Sequence, residues 1–208
     1  MRLEARIFRL VPPVIAGLAL LSSSCSKESP VAPPAPTDTG SSIDTHLTDP
    51  SAMIAAHARA LSERNYEPYA ALIDPAFEFY RMTTPWLGSG ASLWGRTEEL
   101  RMIERLFDEE YFLVFEDEIV LEGAETIRFE ARVLDVRPIE NDQIEVNCAC
   151  RGYAITTPED TFVFRSRLLF TLVPRDGYLR ILKIVESEEP GVPQWTPWGA
   201  VKGYYNFE

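Results

Sequence analysis

The sequence predicts a single α+β domain in which helices come first and a long antiparallel meander follows. Apolar residues recur at helical spacing between residues 49 and 107. Beyond residue 110, alternating apolar and polar runs are separated by short turns, which is typical of consecutive antiparallel strands. About 160 residues lie in this part of the chain, enough to bury a sizeable core.

The helices are predicted from capping residues and apolar stripes. Asp49 can cap a first helix that has Pro50 in its first turn, where proline sacrifices no hydrogen bond. A turn then leads to a short second helix that ends at Pro75. The segment GRTEELRMIERLFDEE predicts a third helix, and a short fourth helix is predicted to begin at Pro197.

The strands are predicted from alternation and from the turn residues between them. The segment FEFYR predicts the first strand. Five further strands are predicted near residues 111–121, 126–138, 142–155, 161–173 and 178–188. Cys148 and Cys150 share a face with apolar neighbours at a spacing poorly suited to a disulfide, which predicts that both pack in the core.

The N-terminus has the pattern of an export signal. Three arginines precede an apolar run at residues 10–21, which is shorter than the roughly 20 residues that span a bilayer. Serines then lead into Cys25, and the whole resembles a bacterial lipoprotein signal, in which this cysteine carries the lipid. The alternative is a plain secretory signal cut among the serines, with Cys25 a free thiol. We therefore expect a signal peptide at residues 1–24, a Pro/Ser/Thr-rich tether at 25–48 and the domain at 49–208.

The net charge excludes some partners. The formal charge is −12, and loss of residues 1–24, with three Arg and one Glu, would change it to −14. So acidic a chain is a poor match for nucleic acid or for anionic lipid surfaces. The chain contains no phosphate-binding loop, G-x-S-x-G or G-x-G-x-x-G motif and no histidine-rich pattern, so we expect neither a cofactor nor a metal.

Three segments carry a resemblance to a known family: AHARALSERNYEPYAALIDPAFEFY, WGRTEELRMIERLF and GYLRILKIVESE. Their order is similar to the nuclear transport factor 2-like superfamily, which includes polyketide cyclases and ketosteroid isomerases. The resemblance covers residues 49–190. It implies a strongly curved antiparallel sheet around the N-terminal helices, forming a cone-shaped half-barrel with an apolar pocket. It also implies a possible homodimer through the sheet.

The resemblance also directs attention to candidate catalytic residues. Isomerase-like members use a pocket tyrosine on the first helix and an aspartate base near the first strand. Here His57 stands at the tyrosine position and the base position falls near Tyr80, so that mechanism does not transfer. His57 and Asp117 remain candidates for acid–base work. The alternatives are a partly wet helix edge for His57 and an outward direction for Asp117.

Other residues are candidates for ligand binding or for structure. Tyr80, Trp86 and Trp94 flank or lie in a Gly- and Ser-rich segment, where they could line the rim of a pocket. Asp135 follows four inward positions of its strand, but its neighbours predict a β-bulge that turns it outward. Outward arginines and glutamates on the later strands predict cross-strand ion pairs.

These observations lead to one leading hypothesis about function and two alternatives. The leading hypothesis is a lipid-anchored cell-envelope protein whose non-catalytic domain binds a small apolar ligand or a protein partner. The first alternative is an enzyme of the polyketide cyclase or isomerase kind that uses His57 and Asp117. The second is a purely structural protein whose cone is filled by its own Trp and Phe side chains.

Overall fold

The computed structural model describes residues 43–81, 92–115, 118–156, 161–187 and 196–206. The predicted signal peptide, Cys25, Trp86 and Asp117 lie outside these ranges. None of the helices in the described ranges combines the length and the hydropathy that crossing a bilayer requires.

In the part of the chain that the structure describes, four helices form where the sequence predicts them. They are α1 (Pro50–Ser62), α2 (Tyr66–Leu72), α3 (Arg96–Phe107) and α4 (Trp198–Gly203), which runs into a 3-10 turn at Tyr204–Asn206. Asp49 caps α1 as expected, because its Oδ1 accepts a hydrogen bond from the Ala52 amide at 2.7 Å. The predicted third helix ends three residues early, at Phe107.

Within the described residues, eight strands form two sheets. The strands are β1 (Ile73–Arg81), β2 (Ser92–Gly95), β3 (Phe112–Phe115), β4 (Glu118–Glu122), β5 (Thr126–Pro138), β6 (Ile144–Ile155), β7 (Thr161–Arg175) and β8 (Tyr178–Ser187). The larger sheet has the order β2-β1-β8-β7-β6-β5, and β3 pairs with β4 alone. The α+β class and the antiparallel meander β5–β8 are confirmed.

The structure corrects the strand prediction at three places. The larger sheet is mixed rather than antiparallel, because β1 and β8 run parallel. The strand predicted at 111–121 is two strands, β3 and β4, paired antiparallel with each other. β2 was not predicted, and it pairs antiparallel with β1.

The two faces of the larger sheet have different surroundings. We call the face that packs against the helices the inner face and the opposite one the outer face.

The predicted bulge in β5 is present, since the register with β6 shifts between Val133 and Asp135 and Asp135 is exposed. Cys148 and Cys150 are buried in the core, as predicted, and burial raises the pKa of Cys148 to about 12.

The segment before α1 also contacts the sheet. Leu47 accepts a hydrogen bond on its carbonyl from the Leu179 amide at 2.7 Å, and the Thr45 carbonyl accepts one from Arg180 Nη1 at 2.9 Å. Ile43 is buried in the same core. Residues 43–48, which composition assigned to the tether, therefore pack along β8.

Candidate functional site

The space between the helices and the inner face is filled by large side chains of the chain itself. Those less than 2% exposed include Tyr69, Phe77, Phe79, Phe164, Phe170, Trp198 and Tyr205. Trp198 of α4 lies 4.8 Å from Phe164 and 5.3 Å from Phe129, measured between ring centroids. Helix α4 therefore occupies part of the space between the helices and the inner face, where the sequence resemblance implied an apolar pocket.

His57 lies within this aromatic core. It is 1% exposed, and its ring centroid is 5.3 Å from that of Tyr69 and 5.4 Å from that of Phe170. Neither ring nitrogen has a hydrogen-bond partner among the described residues. Burial, and secondly the charge of Lys202, lower the pKa of His57 to about 3, so the imidazole is neutral at pH 7.

Glu99 is the centre of a buried polar cluster. Its Oε1 accepts a hydrogen bond from Tyr69 Oη at 2.5 Å, and its Oε2 accepts one from Trp94 Nε1 at 2.6 Å. The Lys202 ammonium donates to both oxygens, at 2.7 and 2.8 Å. Both charged side chains are 0% exposed, so each depends on the other for compensation.

Aromatic rings complete the surroundings of the Lys202 ammonium. Its Nζ lies 3.9 Å from the ring centroid of Phe79 and 5.3 Å from that of Trp94, distances at which a cation is attracted to the ring face. Burial lowers the pKa of Lys202, and the adjacent Glu99 carboxylate opposes that shift. Burial also raises the pKa of Tyr69, so its phenol stays protonated and donates to Glu99.

A second buried carboxylate, Glu186, binds the start of α4. Its Oε2 accepts a hydrogen bond from the Gly199 amide at 2.9 Å, and its Oε1 accepts one from Ser166 Oγ at 2.5 Å. Ser166 Oγ in turn accepts from the Trp198 amide at 2.9 Å. Burial raises the pKa of Glu186, while these hydrogen bonds and the charges of Lys202 and Arg81 oppose the shift.

The outer face carries a group of arginines on three neighbouring strands. Arg151 of β6 is opposite Glu130 on one side and opposite Arg165 on the other. In the next row, Ala149 lies between Arg132 and Arg167. Two grooves of about 430 and 460 Å³ run along this region, and their linings share Glu130, Arg151 and Arg165.

Of the residues predicted to line a pocket rim, Trp94 and Tyr80 lie on opposite faces of the larger sheet. Trp94 is 8% exposed and stacks on Phe79 with 4.4 Å between ring centroids. Tyr80 follows Phe79 on the strand and so lies on the outer face, where its hydroxyl donates to Glu78 at 2.9 Å. Trp86 and Asp117 lie outside the described residues, and the predicted catalytic roles of His57 and Asp117 stay predictions.

Sequence reasoning missed Glu99, Lys202, Glu186 and Ser166. A signal for Glu99 was present, because it precedes Met102, Ile103 and Leu106 by three, four and seven residues and so shares their face of α3. Lys202 had no comparable signal, since one lysine in an aromatic tail reads as a surface residue. Within the described ranges, no three His, Cys, Asp or Glu side chains are grouped to hold a metal ion.

Comparison with known proteins gives matches at the level of solved structures. No family model matches the chain, and no curated protein matches it significantly. The similar structures include a proposed scytalone dehydratase of Novosphingobium aromaticivorans, with 15% identity and a TM-score of 0.48 over 72% of this chain and 90% of that one. ActVI-ORFA of Streptomyces coelicolor has 15% identity and a TM-score of 0.46 over 67% of this chain and 93% of its own.

A further similar structure is a protein of unknown function from Shewanella baltica that is described as NTF2-like. It has 8% identity and a TM-score of 0.44, covering 68% of this chain and 91% of that one. Likenesses this distant carry no activity, substrate or partner to this chain. The solved structures that it resembles do include nuclear transport factor 2-like proteins, and its own curved sheet and N-terminal helices form the α+β fold that the sequence resemblance predicted.

Proposed function

We propose that this chain is a lipid-anchored protein of the bacterial cell envelope whose domain binds an acidic protein partner and catalyses no reaction. The observation that carries the proposal is the filled inner face. Trp198, Lys202 and Tyr205 of the C-terminal segment are at most 1% exposed there, packed in the core that α1 and α3 share with the sheet. Because these side chains occupy the volume that a small apolar ligand would need, we assign recognition of the partner protein to the outer face.

Charge supports an acidic partner. The outer face of β5, β6 and β7 is rich in arginine, although the chain as a whole has a formal charge of −12. Arg128 and Arg151 share one carboxylate, that of Glu130, and Arg165 is directly opposite Arg151 on the next strand. Carboxylates of a partner protein would complement this arginine-rich surface, and electrostatic complementarity would orient the complex.

Exposed apolar side chains on the same strands support a protein rather than a small anion. Val163 of β7 is 46% exposed and lines a groove with Tyr153, and Leu134 at the bulge of β5 is 39% exposed. Protein interfaces combine such apolar contacts with arginine and tyrosine.

Acid–base catalysis is disfavoured by the position of His57. A general base must reach the proton that it removes, and His57 is sealed among Tyr69, Phe129 and Phe170. With a pKa of about 3 it is also a weak base. The envelope location rests on the apolar run at residues 10–21 and the cysteine that follows it.

Site-specific photocrosslinking in the cells that produce the full chain tests the proposal. We expect a photoreactive amino acid at Arg132 or Val163 to form one discrete protein adduct, because both positions lie on the outer face. The matched position Ala55, exposed on α1, should form none. We also expect Arg151→Glu to weaken the adduct formed from Val163 at least tenfold, and Arg59→Glu on α1 to leave it unchanged.

Two results would overturn the proposal. Equal adducts from Ala55 and Val163 would show that the outer face is not selective. An adduct with the mass of two chains, together with a dimer in sedimentation, would show that a second copy occupies this face instead.

A further inference from the structure

The surroundings of the Lys202 ammonium belong to the body of the domain and not to the segment that carries the lysine. Phe79 comes from β1, Trp94 from β2 and Glu99 from α3, whereas Lys202 comes from α4. The ammonium donates to both oxygens of Glu99 and lies 3.9 Å from the Phe79 ring centroid. The strands β1 and β2 and the helix α3 therefore form a cation site, and α4 supplies the cation that fills it.

The three side chains that surround the ammonium, those of Phe79, Trp94 and Glu99, are held in place by contacts that do not involve Lys202. Tyr69 and Trp94 donate one hydrogen bond to each oxygen of Glu99, which sets the orientation of the carboxylate. Phe79 and Trp94 are opposite each other on paired strands and stack at an interplanar angle of 4°. A fixed carboxylate beside two aromatic rings in a dry interior attracts an organic cation strongly.

The geometry also selects the kind of cation. Two N–H groups of the ammonium are used by the two oxygens of Glu99, at 2.7 and 2.8 Å. A quaternary ammonium has no N–H to donate, and a neutral alcohol brings no charge to compensate Glu99. The rings of Phe79 and Trp198 lie 3.9 and 5.9 Å from the Lys202 Nζ, so the surroundings of the nitrogen are apolar and an alkyl chain is preferred as its substituent.

We propose that Glu99, Phe79 and Trp94 form a binding site for an organic primary ammonium, which Lys202 fills within the same chain. The site takes a free alkylammonium whenever the Lys202 ammonium is removed. This inference goes beyond the proposed partner binding, which uses the outer face, and either can fail without the other.

Chemical rescue of Lys202→Ala tests the inference, because n-propylammonium has the atoms that this substitution removes. We expect n-propylammonium to raise the Tm of the purified Lys202→Ala protein saturably, by at least about 2 °C. At equal concentration and ionic strength, 1-propanol, propionate and tetramethylammonium should raise it several-fold less. The wild-type protein should not respond, since its site is filled.

Two further variants complete the experiment. Lys183→Ala removes an ammonium that lies 4.2 Å from the Tyr80 ring on the outer face, and it should show no rescue. Adding Glu99→Gln to Lys202→Ala should abolish the rescue. If Lys202→Ala does not fold alone, the measured quantity becomes the yield of folded protein after refolding, with the same expected order of compounds.

The inference is overturned if n-propylammonium has no effect on Tm or refolding yield, or if 1-propanol acts equally well. Equal action of 1-propanol would mean that Lys202→Ala leaves only an apolar cavity, which either compound can fill. An equal response of Lys183→Ala would also overturn it, since the effect would then be a general one of the salt.

Discussion

His57 is a polar residue whose position in the core lowers the stability of the folded protein. Its two ring nitrogens are buried without a partner among the described residues, and an unsatisfied buried polar group costs about 1 to 3 kcal/mol. Its folded pKa of about 3 lies below the unfolded value of 6.5. Between these values the unfolded chain binds the additional proton, so stability falls as the pH falls, by at most roughly 1.4 kcal/mol per pH unit.

We therefore expect His57→Leu to be at least as stable as the wild type at pH 7. Its advantage should grow as the pH falls from 6.5 towards 4, because leucine has no proton to gain on unfolding. The measurement is the free energy of unfolding in urea at four pH values across that range. Ile54, buried on the same helix and without a titratable group, offers a control, and Ile54→Val should keep the wild-type pH profile. Parallel profiles for wild type and His57→Leu would contradict the assigned burial.

At the scale of the element, the docking of α4 depends on the close approach of its backbone to the sheet. A Cβ built at Gly199 would meet Glu186 Oε2 inside van der Waals contact and Phe79 Cε1 at 2.9 Å. Both atoms belong to buried side chains with little room to move. Glycine is therefore required here by space, since it lets Glu186 reach the Gly199 amide.

Gly199→Ala is expected to destabilise the protein by about 1 to 3 kcal/mol and to loosen α4. Hydrogen exchange should show this as faster exchange of the Ala200 and Val201 amides, with the amides between β5 and β6 unaffected. Gly203→Ala is the matched control in the same helix, because its added Cβ would have its nearest neighbour, Arg81 Nη1, at 3.9 Å. Equal exchange in the two variants would show that α4 docks without this close approach.

The elements that were predicted correctly are those whose evidence is local. The cap at Asp49, the stripe of α3 and the bulge before Asp135 are each visible within a few residues. The break between β3 and β4 was missed because alternation continues from Tyr111 to Leu121 with no Gly, Pro or Asn between. The parallel pairing of β1 with β8 was missed because the residue pattern of a strand does not indicate which other strand it pairs with.

At the scale of the whole molecule, the filled inner face predicts the response to apolar compounds. We expect no rise in the Tm of residues 1–208 with steroids, fatty acids or aromatic metabolites, because the core offers them no volume. Leu168→Ala provides the positive control, since its fully buried site would become an apolar cavity that benzene can enter. A saturable rise in the wild type with any apolar compound would restore small-ligand binding as the function.

The candidate site was less predictable than the fold for a reason that also concerns the whole molecule. Glu99 and Lys202 are charged residues that are buried only because they meet, and they come from α3 and α4, far apart in the chain. The residues next to Glu99 in the sequence do not indicate that it pairs with Lys202, and those next to Lys202 do not indicate Glu99. The arginines of the outer face were predicted from strand alternation, but their cross-strand partners depend on a register that only the structure supplies.

The insertion of α4 also affects the order in which the domain can be completed while it is synthesised. The helices α1 to α3 and strand β1 leave the ribosome first, with the carboxylate of Glu99 uncompensated and one edge of β1 unpaired. Val185, which is opposite Tyr80, and then Lys202 are added only about a hundred residues later. The nascent chain therefore stays unfolded until almost the whole domain has emerged, and its apolar segments are targets for chaperones throughout that time.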